Sequence, residues 1–285
     1  MDSDFLYHYT TIENWHNILG TLSEENKLIF YASDVFSLND PKEVFIGYDL
    51  ITQLIKQVEQ EIDSDRNVGI GELLEQNDGQ TKLIEIFKEA IPGINIRSFV
   101  ISFSNIRDFM PMWSMYGKNG NGIVIKYNKS ELQNLGILEK VVYVHESGNG
   151  ITLNTADLDM LKCYFKKAYL LICKEYVNWD ELHKLQFFAM LCAYVCPMVK
   201  HDAYKYEDEE RILLVNAADK NIKFRVSSSG NIIPYKECPL PVSAITEIII
   251  GPCCDFDVVE RVLRMELANY GIKNIKITQS TVPYR

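Results

Sequence analysis

Four acidic residues in a row, Glu207, Asp208, Glu209 and Glu210, stand directly before a β-rich run in the stretch YKYEDEERILLV. Strand alternation would put Glu207, Glu209 and Arg211 on one face. Two carboxylates that close raise at least one pKa and a guanidinium lowers it, so the group is either a solvated strand start or a site tuned for proton and charge chemistry. Charge runs are usually solvated faces, so the residues need company before they mean more. His8, in LYHYTT, offers one donor and one acceptor as a neutral imidazole, enough to fix a sugar hydroxyl, and equally suits a structural hydrogen bond. In NDPKE, Pro41 is pre-set for a first helical position and Asp40 is placed to cap it. Trp113 and Tyr116, in MWSMYG, suit packing as well as binding.

The elements that must position these residues follow from periodicity. Thr11 caps a helical run carrying Ile12, Trp15, Ile18 and Leu19, and Gly20 ends it, so His8 precedes the first helix. If residues 6–10 form a strand, Tyr7 and Tyr9 point away from His8 and pack. Strands are expected at 27–33, 98–104, 122–127, 140–144, 211–217 and 221–226, and helices from 43 to about 62 and over 81–91, with a loose polar connection at 63–79. Residues 155–199 repeat aromatic and aliphatic side chains three or four apart and read as core-facing helices. Residues 244–280 close the chain as strand, helix, strand. Strand-rich and helix-rich blocks alternate irregularly, which predicts α+β: one domain over 1–285 with a helical insertion at about 155–199.

Composition narrows the function classes. Asp plus Glu outnumber Lys plus Arg by 39 to 29, a net charge of −10, so no global field attracts polyanions. A nucleic acid target would need a local patch, for instance around Lys118, Lys126 and Lys129. Asp2 and Asp4 stand where a secretory signal wants positive charge, and the apolar run at 186–199 is too short to span a bilayer and contains Pro197. Seven cysteines without a CxxC pair, and histidines at no ligand spacing from them, fit a reduced cytoplasmic protein without a zinc site. Gly251 ends a strand, but no GxGxxG follows, which argues against a Rossmann domain.

Taken in order, LYHYTT, LIFYASDVFSLNDPKE, FSNIRDFMPMWSMYGKNGNGIVIKY and YKYEDEERILL resemble a widespread bacterial domain-of-unknown-function family with Y-H-Y-T, N-D-P-x-E, M-W-x-x-Y and late E-x-E-x-R motifs. That family often has Trp just ahead of its E-x-E, where this chain has Tyr204, and Asp208 and Glu210 add two acids that crowd the site. The family in turn resembles a divergent branch of the ADP-ribosyltransferase fold, a split mixed or antiparallel β core in which a His, an aromatic and a late Glu surround NAD. The resemblance implies those roles for His8, Tyr31 and Glu209, with Glu207 sharing the catalytic work and Trp113 and Tyr116 binding substrate. FYASDVFS is also similar to the Y-F-A-x-x-x-S segment of poly(ADP-ribose) polymerase-like enzymes, implying that Tyr31 stacks on nicotinamide and Ser37 contacts its carboxamide or ribose. Tyr9, Thr10, Ser33, Asn39, Asp40 and Arg211 complete the implied NAD contacts, and the pyrophosphate is left between Arg107 and Arg211.

The expected function is mono-ADP-ribosyl transfer from NAD, a substrate and not a resident cofactor, to nucleic acid or protein. By resemblance this is the work of a bacterial toxin or phage-defence effector with a neutralising antitoxin partner, and no metal or membrane is called for. Glu209 would stabilise the oxocarbenium-like transition state and Glu207 would act as general base. One rival makes Asp40, Glu43, Glu207 and Glu209 oxygen ligands for magnesium in a phosphodiesterase or nuclease. Another keeps the fold as a non-catalytic binding module using the aromatic surface around Trp113.

Overall fold

In a computed structural model, the described residues are 4–38, 42–62, 69–71, 96–147, 150–153, 158, 159, 161–163, 165–167, 169, 170, 180–217, 221–227 and 230–283. The expected helix at 81–91 and most of the connection at 63–79 lie outside them. The fold is α+β with a mixed sheet, as the alternation of blocks predicts.

The strands are β1 (Phe5–Thr10), β2 (Lys27–Asp34), β3 (Ile96–Ser104), β4 (Ile123–Asn128), β5 (Ile137–Lys140), β6 (Val142–Ser147) and β7 (Gly150–Thr152), then β8 (Val199–His201), β9 (Glu209–Ala217), β10 (Lys223–Val226), β11 (Ile232–Pro241), β12 (Ile245–Ile250) and β13 (Lys276–Gln279). The helices are α1 (Ile12–Leu19), α2 (Lys42–Glu61), α3 (Met110–Met115), α4 (Lys129–Leu132), α5 (Glu181–Val195) and α6 (Phe256–Asn269). Thr11 caps α1 through its side chain, as expected. The strand–helix–strand ending is β12, α6 and β13, with β13 parallel to β12. The longest strand was hidden by Pro234, Pro239 and Pro241. β11 pairs with β10 over 232–235 and with β2 over 235–241, so each proline lies where one side of the strand has no partner.

Among the described residues the large sheet runs β10-β11-β2-β3-β1-β4-β12-β13, with β9 paired to β3 and β5 to β9. It forks at β3. β9 pairs along one side of β3, and the other side meets β2 at Phe99 and Val100 but β1 at Ser104. Directly opposed residues share a face, so the register sorts side chains in two sets. On one face Leu6, His8, Phe30, Phe99, Phe103 and Tyr127 pack beneath α1 and α6. On the other, Val100 and Leu213 meet α2 and α5, while Tyr7, Tyr9 and Val124 meet α3. Ser104 opposes both Tyr7 and Glu209, and Ser102 opposes Arg211, so the E-x-R pair belongs to this second face. A small sheet, β7-β6-β8, brings Lys200 alongside.

Candidate active site

The site is assembled where α2, β8 and the turn before β9 meet the second face. α2 approaches the turn after α5 so closely that a Cβ on Gly47 would lie 2.5 Å from the Cys196 Cα, which requires glycine there. One turn earlier on α2, Glu43 is thereby set beside Arg211 and Lys200. Lys200 is carried by β8, straight after the Cys196–Met198 turn, whose Pro197 carbonyl accepts Arg211 Nη1 at 2.6 Å. Glu207 is not on a strand. It ends the 3-10 turn 202–207, and Asp208, left-handed at φ 41°, swings the chain into β9. The expected convergence of Glu207, Glu209 and Arg211 occurs, but a kink produces it where alternation alone was expected.

Three carboxylates and two cations are sealed together, each less than a tenth exposed. Arg211 donates to Glu209 through Nε at 2.6 Å and Nη2 at 3.1 Å, and to Glu43 through Nη2 at 2.8 Å. Lys200 Nζ donates to Glu207 Oε2 at 2.6 Å and Glu209 Oε2 at 3.0 Å and lies 3.3 Å from Glu43 Oε1. Tyr116 donates to Glu207 Oε1 at 2.9 Å, and the Glu209 backbone N–H donates to Tyr143 Oη at 2.9 Å. Burial by itself would raise the Glu209 pKa, but Arg211 and Lys200 hold it down to about 2. Burial prevails at Glu207, whose carboxyl is pushed up against the opposing pull of Lys200. Burial alone would lower the Lys200 pKa; its carboxylates, Glu209 foremost, raise it instead.

These groups line an open-mouthed cavity of about 120 Å³, walled by Tyr7, Tyr9, Leu38 and Met112. That is smaller than the roughly 300–1,000 Å³ of drug-sized sites, so it admits a small group or one end of a larger ligand.

The structure thus brings together Glu207, Glu209, Arg211, His8, Tyr9 and Tyr116 of the expected residues. His8 and the remaining expected residues are placed as follows. His8 borders the cavity, but its ring packs edge-on against Phe30 and Phe103 on the face away from the carboxylates. Its Nδ1 meets the Ser102 carbonyl at 2.9 Å, inside the fork of the sheet, and burial lowers its pKa, which keeps the ring neutral. Tyr7 and Tyr9 do point away from His8, and the face they pack on is the cavity's. Tyr31 stacks on Tyr235 with centroids 4.3 Å apart and does not line the cavity, though it shares the cavity's face, two residues from the Ser33–Val100 pair. Ser33 accepts from Arg225, Ser37 donates to Asp34, and Thr10 accepts from Asn14, all away from the cavity. Asn39 and Asp40 lie outside the described residues. Trp113 is fully buried and donates to Asp108, so it presents no surface to a partner. Arg107 bonds Glu247 and Thr278, leaving Arg211 as the cavity's guanidinium. Glu210 turns to the opposite face and bonds Lys129 and Asn105, and Asp208 is exposed, so neither crowds the site. Lys126 and Lys129 each face a carboxylate, Glu247 and Glu210.

Lys200 escaped sequence reasoning altogether, and Glu43 entered only as a metal ligand. A lysine inside the apolar run CPMVKH was the available signal, because a buried amine demands carboxylate partners. Tyr204, where the resembled family often has Trp, lies under Lys200 Nζ at 4.9 Å from its ring centre. Among the described residues no helix is long and apolar enough to cross a membrane, and no three His, Cys, Asp or Glu side chains are grouped to hold a metal.

Residues 112–212 match the model of a family described as protein of unknown function (DUF2971). The matched stretch carries Tyr116, Lys200, Glu207, Glu209 and Arg211, which come from four separate elements and turns and meet at the cavity. No curated protein and no solved structure matches the chain, so the similarity to that family of unknown function is what the comparisons contribute.

Proposed function

We propose that the chain cleaves the nicotinamide–ribose bond of NAD and transfers ADP-ribose to a macromolecular acceptor. The observation that carries this reading is the pair Glu207 and Glu209, lining one cavity with their pKa values pushed in opposite directions. Such divergence divides labour between a fixed charge and a proton carrier. Glu209, kept ionised by Arg211 and Lys200, supplies negative charge as the C–N bond breaks, its electron pair leaves with nicotinamide, and positive charge develops on the ribose. Glu207, whose raised pKa moves it toward the working range of a base, accepts the proton of the attacking acceptor group. Tyr7, Tyr9 and Tyr116 offer aromatic walls for the leaving ring.

The magnesium reading is less well served. Glu43, Glu207 and Glu209 converge on the Lys200 ammonium, which stands where a shared cation would have to sit. A toxin or defence role, with an antitoxin partner, goes with the transferase reading through the resemblance in motifs.

Release of nicotinamide from NAD tests the proposal. The wild-type chain should release it, and Glu207→Gln should lower the rate by the 10²–10⁴-fold typical of a lost general base. Equal rates, or none from a folded wild type given every acceptor class, would defeat it.

A further inference from the structure

A second polar cluster, outside the cavity, holds the segment between β3 and β4. Asp108 accepts four hydrogen bonds: on one oxygen from Trp113 Nε1 and Ser280 Oγ, both at 2.7 Å, and on the other from the Thr281 backbone N–H at 2.7 Å and its Oγ1 at 3.1 Å. The next residue back, Arg107, donates to Glu247 at 2.9 Å and to Thr278 Oγ1 at 3.4 Å. Two consecutive residues therefore fasten this segment to β12, β13 and the chain just beyond. The fastening extends to the cavity. Trp113 is fully buried on α3, and Gly117 lies so close to its ring that a Cβ there would meet it at 2.5 Å. Tyr116, between them, reaches Glu207 with its hydroxyl.

We propose that Asp108 is a positioning residue: by tying Trp113 to Ser280 and Thr281 it holds the Tyr116 hydroxyl on Glu207, so the segment just after β13 sets the state of the site's proton-carrying carboxylate. The role in turnover rests on the transferase reading, and the mechanical linkage does not.

Glu207 is faced by Lys200 from β8, Glu209 from β9 and Tyr143 from β6, with Tyr206 in its own turn, while Glu43, Arg211 and Tyr204 contact Lys200 or Glu209 beside it. None of these is altered in the test, so a change at Glu207 reports on Tyr116. The carboxyl carbon of Glu207 is followed by carbon-13 NMR in glutamate-labelled protein, its resonance identified by its absence from Glu207→Gln, and titrated with pH. Tyr116→Phe should raise the midpoint by about one pH unit, the scale of one lost hydrogen bond to the charged form. Asp108→Ala should raise it comparably, and the double variant no further, because both changes remove one linkage. Asp108→Asn keeps an acceptor for Trp113 and Ser280 and should return toward wild type. If Asp108→Ala does not fold, Ser280→Ala with Thr281→Val loosens the clasp from its other end and should give the same direction of shift. A wild-type midpoint in folded Asp108→Ala, or in the Ser280 and Thr281 variant, or shifts that add in the double variant, would overturn the proposal. The readout needs no turnover, so failure of the linkage is distinguishable from failure to cleave NAD.

Discussion

Glu207 and Glu209 share one cavity because Asp208, between them, adopts a left-handed conformation. A regular strand would place two alternate residues about 6.5 Å apart along its axis with parallel side chains. The kink instead lets Lys200 bridge both, at 2.6 and 3.0 Å, while Tyr116 bonds Glu207 and Arg211 bonds Glu209.

Asp208 is therefore a conformational residue. Asp208→Gly should leave stability within about 0.5 kcal/mol of wild type, whereas Asp208→Val, β-branched at positive φ, should cost about 1–2 kcal/mol and disturb the Lys200 bridge. Urea unfolding of the two variants checks the order, and equal stabilities would count against the kink.

The two carboxylates impose opposite pH dependences on stability. Glu209 has its folded pKa depressed to about 2, so its contribution is full above the unfolded value near 4.3 and is lost as pH falls from there toward about 2. Glu207 has its folded pKa raised, so its contribution is present below the unfolded value and is lost as pH rises through the folded one. Denaturant unfolding stepped from pH 2.5 to 7 should show a steep acid loss in the wild type that flattens in Glu209→Gln. An acid limb of unchanged slope would contradict the assignment.

Removing one cation from the sealed cluster leaves carboxylates uncompensated. Lys200→Met should destabilise by about 3–5 kcal/mol, the usual cost of breaking a buried pair from one side. Combining it with Glu43→Gln and Glu207→Gln should recover part of the loss. Thermal unfolding of the single and triple variants measures this, and a single-variant loss under about 1 kcal/mol would show that the cluster is wetter than its burial implies.

Tyr31 lies outside the cavity and shares its face of the sheet, and the proposed transferase reading puts the remainder of NAD along that face. Tyr31→Ala should raise KM for NAD several-fold with kcat little changed, since a contact equal in ground and transition states affects binding alone. A loss confined to kcat would instead move Tyr31 next to the reacting bond.

Most of the sheet was legible in the sequence, since β2, β3, β4 and β9 are dense in β-branched and aromatic residues and their alternation survives in the register. β11 was not, because its prolines read as breaks until both partners and their limited spans are known. At the site, the E-x-E-x-R spacing announced the carboxylates and the arginine. It could not show that His8 turns to the other face, which is decided by the pairing of β1 with β3 across the fork. Lys200 carries no local motif, Glu43 ends the N-D-P-x-E turn that reads locally as a helix start, and Asp108 has no motif either. Their roles come from partners 7, 168 and 172 residues away in the chain, contacts that only the folded topology creates.

ADP-ribosyl transfer is read by incubating NAD labelled in its adenylate half with wild type and with Glu207→Gln, in the presence of RNA, DNA and protein acceptors, and following label on each. Transfer by the wild type to one acceptor class, lost in Glu207→Gln while that variant stays folded, is the result predicted. Absence of label from every acceptor with folded wild-type protein, or equal labelling by the two proteins, would contradict it.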